Sequence, residues 1–333
     1  MFSPLKTLFM THVKKWPFML NHKINIACDC HCRFCDIWKI REDPEQLLSQ
    51  GEIEDLLDQG GRVGVLSYSI WGGEPLLRED LPALMAHARR LGLFTTISTN
   101  GSLLKQRASE LVPHTSLFLV SLDGIGETHD RVRGFPGLFE KTVAGIEAVK
   151  KAGARVRLFY NVNKLTMGDV AEAARLAREL RVSVFYFPVV KLEGFNERLV
   201  LSREEEREVF DEILRLKSEG LPVLNLRSYL RVIRDDRRVA CRFPWYHLYV
   251  DWDGRVYSCD LGPGRWLAAW GHARDLDLAA LFESPEFKQK ARELENCNAC
   301  RLSCAEIGYS SPLAQFPFRL YYRLRHEWLF QAR

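Results

Sequence analysis

The chain predicts an α/β fold: a partial (β/α)6 barrel of the TIM type followed by a small C-terminal α+β domain. Three observations carry this. Short apolar runs alternate with helix-like stretches six times between residues 22 and 190. The residues with chemistry to offer fall at the C-terminal ends of those runs, where parallel sheets place their sites. The alternation stops near Val190, and a second group of cysteines begins at Cys241.

In chain order, Ser3-Pro4 ahead of Leu5, Leu8, Phe9 and Val13 predicts a capped helix within an N-terminal extension, residues 1–21. His22 to Ala27 predicts the first strand. Asp43-Pro44 opens a helix to about Asp58, Val63 to Ile70 is the second strand, and Asp80 to Leu91 a helix. Leu93 to Ser98, Ser116 to Ser121, Arg155 to Asn161 and Val182 to Phe187 are the remaining strands. The helices Ser102 to Val112, Phe139 to Ala152 and Gly168 to Leu180 lie between them. Such alternation implies parallel strands joined by right-handed crossovers. After Pro188 a polar stretch leads to a charged helix from Ser202 to Lys217, where Ser202 and Glu205 fit a capping box. The expected units are a barrel over 22–190, a charged helical linker over 191–236, a cysteine-bearing domain over 237–305 and a tail over 306–333.

With 333 residues, 47% of them hydrophobic, the chain can bury a substantial core. A net charge of +4 argues against a nucleic-acid binder driven by bulk electrostatics. No apolar run is long enough to span a bilayer, and Met1 to Met19 has no secretory cleavage pattern. The nine cysteines are clustered rather than spread in pairs, which predicts metal ligation in a reducing cytoplasm. The tail interleaves Phe316, Phe318, Tyr321, Tyr322, Trp328 and Phe330 with Arg319, Arg323 and Arg325. It reads as a terminal helix docked on the barrel, with peripheral membrane contact as the alternative.

The chemistry concentrates in Cys28-Asp29-Cys30-His31-Cys32-Arg33-Phe34-Cys35. Cys28, Cys32 and Cys35 have the spacing C-x3-C-x2-C, which suits a soft metal centre, zinc or iron–sulfur. A four-iron cluster usually takes four cysteines, so three leave one iron open to a non-protein ligand. The competing zinc knuckle would have to recruit His22 or His31, neither with finger spacing. Gly72-Gly73-Glu74-Pro75 ends the second strand, Ser98-Thr99-Asn100-Gly101 the third, and Ser121-Leu122-Asp123-Gly124 the fourth. Taken singly, each is an ordinary turn or cap. In the C-terminal third, Asp253-Gly254 between apolar runs signals a hairpin that draws Cys241 and Cys259 together. Cys297, Cys300 and Cys304 follow.

The first cysteine loop resembles the signature loop of the radical S-adenosylmethionine (radical SAM) enzymes. The resemblance implies a [4Fe–4S] cluster on Cys28, Cys32 and Cys35, whose open iron chelates SAM. One electron then cleaves SAM to a 5′-deoxyadenosyl radical that abstracts hydrogen from the substrate. It implies that Phe34 packs near the adenine, and that Gly72, Gly73 and the Glu74 carboxylate receive the SAM ammonium group. Ser98 and Asn100 would lie near the ribose and carboxylate. Ser121 and Asp123 are similar to the "SLDG" segment of the SPASM/twitch branch, where the serine contacts ribose. His129-Asp130 and Arg133-Gly134 extend that match, with Arg133 a candidate for the SAM carboxylate.

Cys241, twelve residues, Gly254, four residues and Cys259 resemble the opening of the SPASM motif. The chain then departs from the full motif and has no cysteine after Cys304. The departure implies a shortened, twitch-like version with one auxiliary [4Fe–4S] cluster on Cys241, Cys259, Cys297 and Cys300, with Cys304 competing for the last place. A structural zinc site is the rival, and a non-enzymatic, zinc-stapled protein is the reading from another class. The resemblance covers about residues 22–305. It implies an oxidoreductase fed by a one-electron donor such as flavodoxin or ferredoxin. Only 27 residues precede Cys28, too few for a leader-recognition domain. The expectation is therefore a small-molecule, sugar or lipid-type substrate, with peptide maturation as the alternative. No substrate-side acid or base stands out.

Overall fold

A computed structural model describes residues 17–237, 241, 243–245, 247–260 and 266–297. The expected N-terminal helix and the basic–aromatic tail lie outside the described residues, as do Cys300 and Cys304.

The six expected strands are present and parallel: β1 (Met19–Lys23), β2 (Ser67–Trp71), β3 (Phe94–Thr99), β4 (Leu117–Ser121), β5 (Val156–Val162) and β6 (Ser183–Pro188). They follow one another in space as in sequence. The sheet does not stop at β1. Its other edge pairs in parallel with β7 (His247–Val250), which turns back through β8 (Arg255–Asp260) to β9 (Trp266–His272). The described residues thus form one nine-stranded sheet, with the C-terminal hairpin extending the barrel rather than standing apart.

Alternation sorts the strand side chains onto two faces. One face carries Leu20, Tyr68, Ile70, Ile97, Phe118, Val120, Leu158, Tyr160, Val184 and Tyr186 into a single core under the helices. Those helices are α1 (Gln50–Val63), α2 (Leu81–Arg90), α3 (Leu104–Leu111), α4 (Glu127–Arg133), α5 (Leu138–Lys151), α6 (Val170–Glu179), α7 (Arg203–Ser218), α8 (Arg227–Asp235), α9 (Leu278–Glu283) and α10 (Pro285–Leu294). The other face is more polar. It presents Lys23, Ser69, Trp71, Thr96, Ser98, Ser121 and Asn161, and forms the inside of the barrel.

Four boundaries differ from expectation: the first strand begins at Met19, inside the expected N-terminal extension rather than at His22, and three others shift for a local reason. The first strand ends at Lys23, because beyond Ile24 the N–H groups of Ile26 (2.6 Å) and Ala27 (3.0 Å) donate to Glu42 instead of to a strand. The first helix starts at Gln50, not Asp43. Ser49 and Glu52 form a reciprocal capping box there, while Asp43 accepts from Glu45 and Gln46 in an isolated turn. That helix runs on to Gly64, which ends it at φ +93°, so β2 begins only at Ser67. The capping box at Ser202 and Glu205 is present. The expected linker packs closely: Val223 bridges to Val184 of β6, and the Asn225 side chain bonds both backbone groups of Tyr186. Helices α4, α8, α9 and α10 had no counterpart in the sequence reading.

Candidate active site

The cysteine loop leaves the C-terminal end of β1 and is held by the chain on every side. Glu42 takes two of its backbone N–H groups. Arg33 N–H donates to the Val132 carbonyl (2.9 Å), tying the loop to the last turn of α4. From the former linker, fully buried Asn196 donates Nδ2 to the carbonyls of Phe34 (3.0 Å) and Val190 (2.9 Å). Cys28, Cys30, Cys32 and Cys35 share one apolar patch with Phe34, Phe135 and Leu138. Cys28, Cys35 and Phe34 are half-buried, whereas Cys30 and Cys32 are buried.

The thiol environments differ. Burial pushes Cys32 up to about 12 and also raises Cys35. A hydrogen bond from the Cys30 thiol pulls Cys28 down to about 7. Among the described residues no three cysteine, histidine or carboxylate groups close to metal-bonding distance. An apolar patch with three thiols on one short loop fits an iron–sulfur cluster, whose charge would deprotonate them on binding. Cys30 is braced from the neighbouring loop: Asn100 donates Nδ2 to its sulfur (3.0 Å) and to Asp29 Oδ1 (2.7 Å), and Ser102 Oγ donates to Asp29 Oδ2 (2.6 Å).

Gly72 and Gly73 lie against this loop. A Cβ on Gly72 would sit 2.3 Å from the Asn25 carbonyl oxygen, and one on Gly73 2.2 Å from that of Ala27. Only glycine permits this approach, which lets Gly73 N–H donate to Asn25 (3.0 Å) and Glu74 N–H to Ala27 (2.8 Å).

Several of the expected cofactor-binding residues are engaged by partners of their own chain. The Glu74 carboxylate is fully buried. It accepts from Leu76 N–H (3.0 Å), Thr99 Oγ1 (2.7 Å) and Asn100 N–H (2.7 Å), clamping the β2 and β3 loops together. Burial raises it to about 8 against the pull of those bonds. Asn100 is likewise buried and braces the cysteine loop. Asp123 is fully buried; it accepts from Asn161 N–H (2.6 Å) and from the Arg133 guanidinium (Nε, 2.8 Å). Arg133 is therefore engaged by a carboxylate of its own chain, its guanidinium 5.4 Å from the Phe34 ring centre. Ser98 and Ser121 do lie half-exposed on the inner face. His129 accepts the Asp123 N–H, and Asp130 caps the start of α5 through Gly137 and Phe139.

The second cysteine set is assembled from distant segments. Cys241 N–H donates to the Glu295 carbonyl (3.0 Å), which brings it to the end of α10, two residues before Cys297. Trp245 Nε1 reinforces this through Glu295 Oε1 (2.6 Å). Cys259 sits on β8 opposite Leu267. The expected hairpin is present, and Gly254 at its tip has φ +84° and packs on His272.

Several site residues escaped the sequence reading. Glu42, Asn196 and the Asp29–Ser102 bond carry no local pattern. Nor does the buried ion pair of Lys23 with Asp251 (3.2 Å), in which the ammonium also lies 5.0 Å from the Trp71 ring centre.

Residues 24–177 match the radical SAM superfamily, and residues 241–305 match the SPASM iron–sulfur cluster-binding domain. The chain is 32% identical over 271 residues to the Fe-coproporphyrin III synthase of Methanosarcina barkeri, covering 72% of this chain and 66% of that protein. It is 25% identical over 312 residues to the AdoMet-dependent heme synthase of the same organism, covering 85% and 88%. It is also 25% identical over 281 residues to the PqqA peptide cyclase of Gluconobacter oxydans, covering 81% and 78%. In fold it is similar to Streptococcus suis SuiB bound to S-adenosylmethionine, with a TM-score of 0.69 at 17% identity over 83% of this chain and 68% of that one. Such enzymes carry a SAM-binding [4Fe–4S] cluster and an auxiliary iron–sulfur cluster, and draw on an electron donor. The chain is an enzyme of the radical SAM superfamily and belongs to its SPASM/twitch branch.

Proposed function

We propose that this enzyme abstracts a hydrogen atom from a porphyrin-type tetrapyrrole and oxidises it with help from the auxiliary cluster. The observation that carries this is the inner face of the barrel. Trp71 and Tyr249 meet edge to face at 6.1 Å on one side, and Tyr249 stacks on Tyr257 at 5.5 Å. Phe159, Phe185 and Phe187 cluster on the other side at 5.6 to 6.5 Å. Between these walls lie Ser69, Thr96, Ser98, Ser121 and Asn161. Apolar walls with a polar floor suit a flat macrocycle that carries acid groups at its edge. The relatives named for iron coproporphyrin and heme support the same class.

Cys28, Cys32 and Cys35 would hold a [4Fe–4S] cluster, which would supply the electron for reductive cleavage of SAM. The chain's residues prepare that event. The half-buried backbone of Gly72 and Gly73 receives the SAM ammonium, the hydroxyls of Ser98 and Ser121 face the ribose, and Phe34 packs near the adenine. Glu74, Asn100 and Asp123 keep these groups in place from behind. We assign the radical-forming unit to residues 22–190. The auxiliary unit is 237–305, with Cys241, Cys259 and Cys297 joined by Cys300 or Cys304.

A second reading, peptide modification, is favoured by the PqqA peptide cyclase relative. None of the relatives reported above is named for a sugar or a lipid. The test is to incubate anaerobically reconstituted enzyme with SAM, dithionite and iron coproporphyrin III, following 5′-deoxyadenosine and the Soret band. Stimulated 5′-deoxyadenosine with a Soret shift supports the tetrapyrrole. No response to the porphyrin, together with stimulation by a PqqA-type peptide, replaces it with the peptide reading.

A further inference from the structure

The end of α4 is pressed against the cysteine loop. Gly134 ends the helix at φ +64°, and a Cβ there would lie 2.5 Å from the carbonyl oxygen of His31, the residue between Cys30 and Cys32. One residue earlier, the Arg133 guanidinium lies 5.4 Å from the ring centre of Phe34, the residue between Cys32 and Cys35. The positive charge is thus held beside Phe34, which packs in one apolar patch with the sulfurs, and its side chain is only 11% exposed. Its counter-charge, Asp123, is fully buried and is tied to the sheet, where Asn161 N–H donates to it.

We propose that the Arg133–Asp123 pair sets the one-electron reduction potential of the cluster at this loop, the guanidinium raising it and the carboxylate lowering it. This rests on the assignment of the cluster to Cys28, Cys32 and Cys35. Reduction adds negative charge, so a nearby cation favours the reduced form and a nearby anion opposes it. Poor solvent screening in the buried patch enlarges both effects.

The two side chains should therefore act with opposite sign. The experiment is an EPR-monitored redox titration of the full, reconstituted chain without SAM, following the signal whose g-values change when SAM is added to a parallel sample. R133Q is expected to shift the midpoint to lower potential and D123N to higher potential. The R133Q/D123N double variant should return towards wild type, and R133K should stay nearer to wild type than R133Q. If R133Q fails to hold iron, D123N and R133K decide alone, because loss of packing gives no reason for D123N to rise. Shifts of one sign in both single variants, or none, overturn the proposal. So does a loss of SAM affinity in R133Q with an unmoved SAM-free midpoint, which would make Arg133 a SAM ligand. A wild-type signal indifferent to Cys28→Ala would instead overturn the assignment of the loop.

Discussion

The two cysteine sites are built in opposite ways. At the first, three in-pattern cysteines lie within eight residues, and the loops around them are joined by buried bonds through Glu42, Glu74, Asn100 and Asn196. At the second, Cys241, Cys259 and Cys297 come from a turn before β7, from β8 and from the end of α10. The first site is a local motif braced by the rest of the molecule. The second draws its cysteines from segments far apart in the sequence. The expected consequence is independence: damage to one should leave the other's metal in place.

The largest effect expected is from Cys28→Ala/Cys32→Ala/Cys35→Ala. Iron should fall from about eight to about four per chain, with complete loss of SAM cleavage. Iron and sulfide analysis beside a 5′-deoxyadenosine assay checks both. Cys241→Ala should also halve the iron, but with uncoupled SAM cleavage retained. Loss of all iron in either variant would abolish the contrast.

Next in size is Glu74→Ala, which strands three buried donors. We expect about 3 kcal/mol of lost stability and a parallel loss of SAM affinity, with Glu74→Gln markedly milder. Thermal unfolding and equilibrium SAM binding test this. Full stability in Glu74→Ala would remove the bracing that distinguishes the first site.

Acid should expose β1, the strand that serves both sites. Burial holds His22 and His247 down at about 3 from an ordinary 6.5. Below pH 6.5 the unfolded chain takes up protons that the folded chain refuses. The stability is therefore present above pH 6.5 and lost as pH falls towards 3. Between pH 7 and pH 5 each histidine should cost about 2 kcal/mol. His22→Asn should flatten the pH dependence of the melting temperature, and an unchanged slope would refute the assignment. The smallest effect expected is from Asn196→Ala, about 1 kcal/mol per lost bond, with weaker iron retention at the first loop only.

What the sequence revealed follows the same division. The alternation of strands and the spacing of Cys28, Cys32 and Cys35 are local patterns, and they were legible. Gly72 and Gly73 were legible as special. Their reason, contact with the Asn25 and Ala27 carbonyls, lies across two loops and was not. Glu74, Asn100 and Asp123 show the limit most clearly. A polar residue at a strand end looks the same in sequence whatever it meets, and their burial and intrachain partners are visible only in the fold. The helix start was misplaced because Asp43-Pro44 and Ser49 with Glu52 are competing signals, and the reciprocal cap prevailed. No local cue announced that β7 would join β1, since strand pairing across that separation is a property of the folded chain.

That junction has a consequence for how the protein is made. A ribosome delivers β1 early and β7 late. Throughout the interval β1 offers an unpaired row of backbone donors and acceptors on the side that β7 will cover. The nascent barrel is therefore a sticky intermediate that needs shielding, and pausing or premature termination before His247–Val250 should yield aggregates rather than a smaller working enzyme.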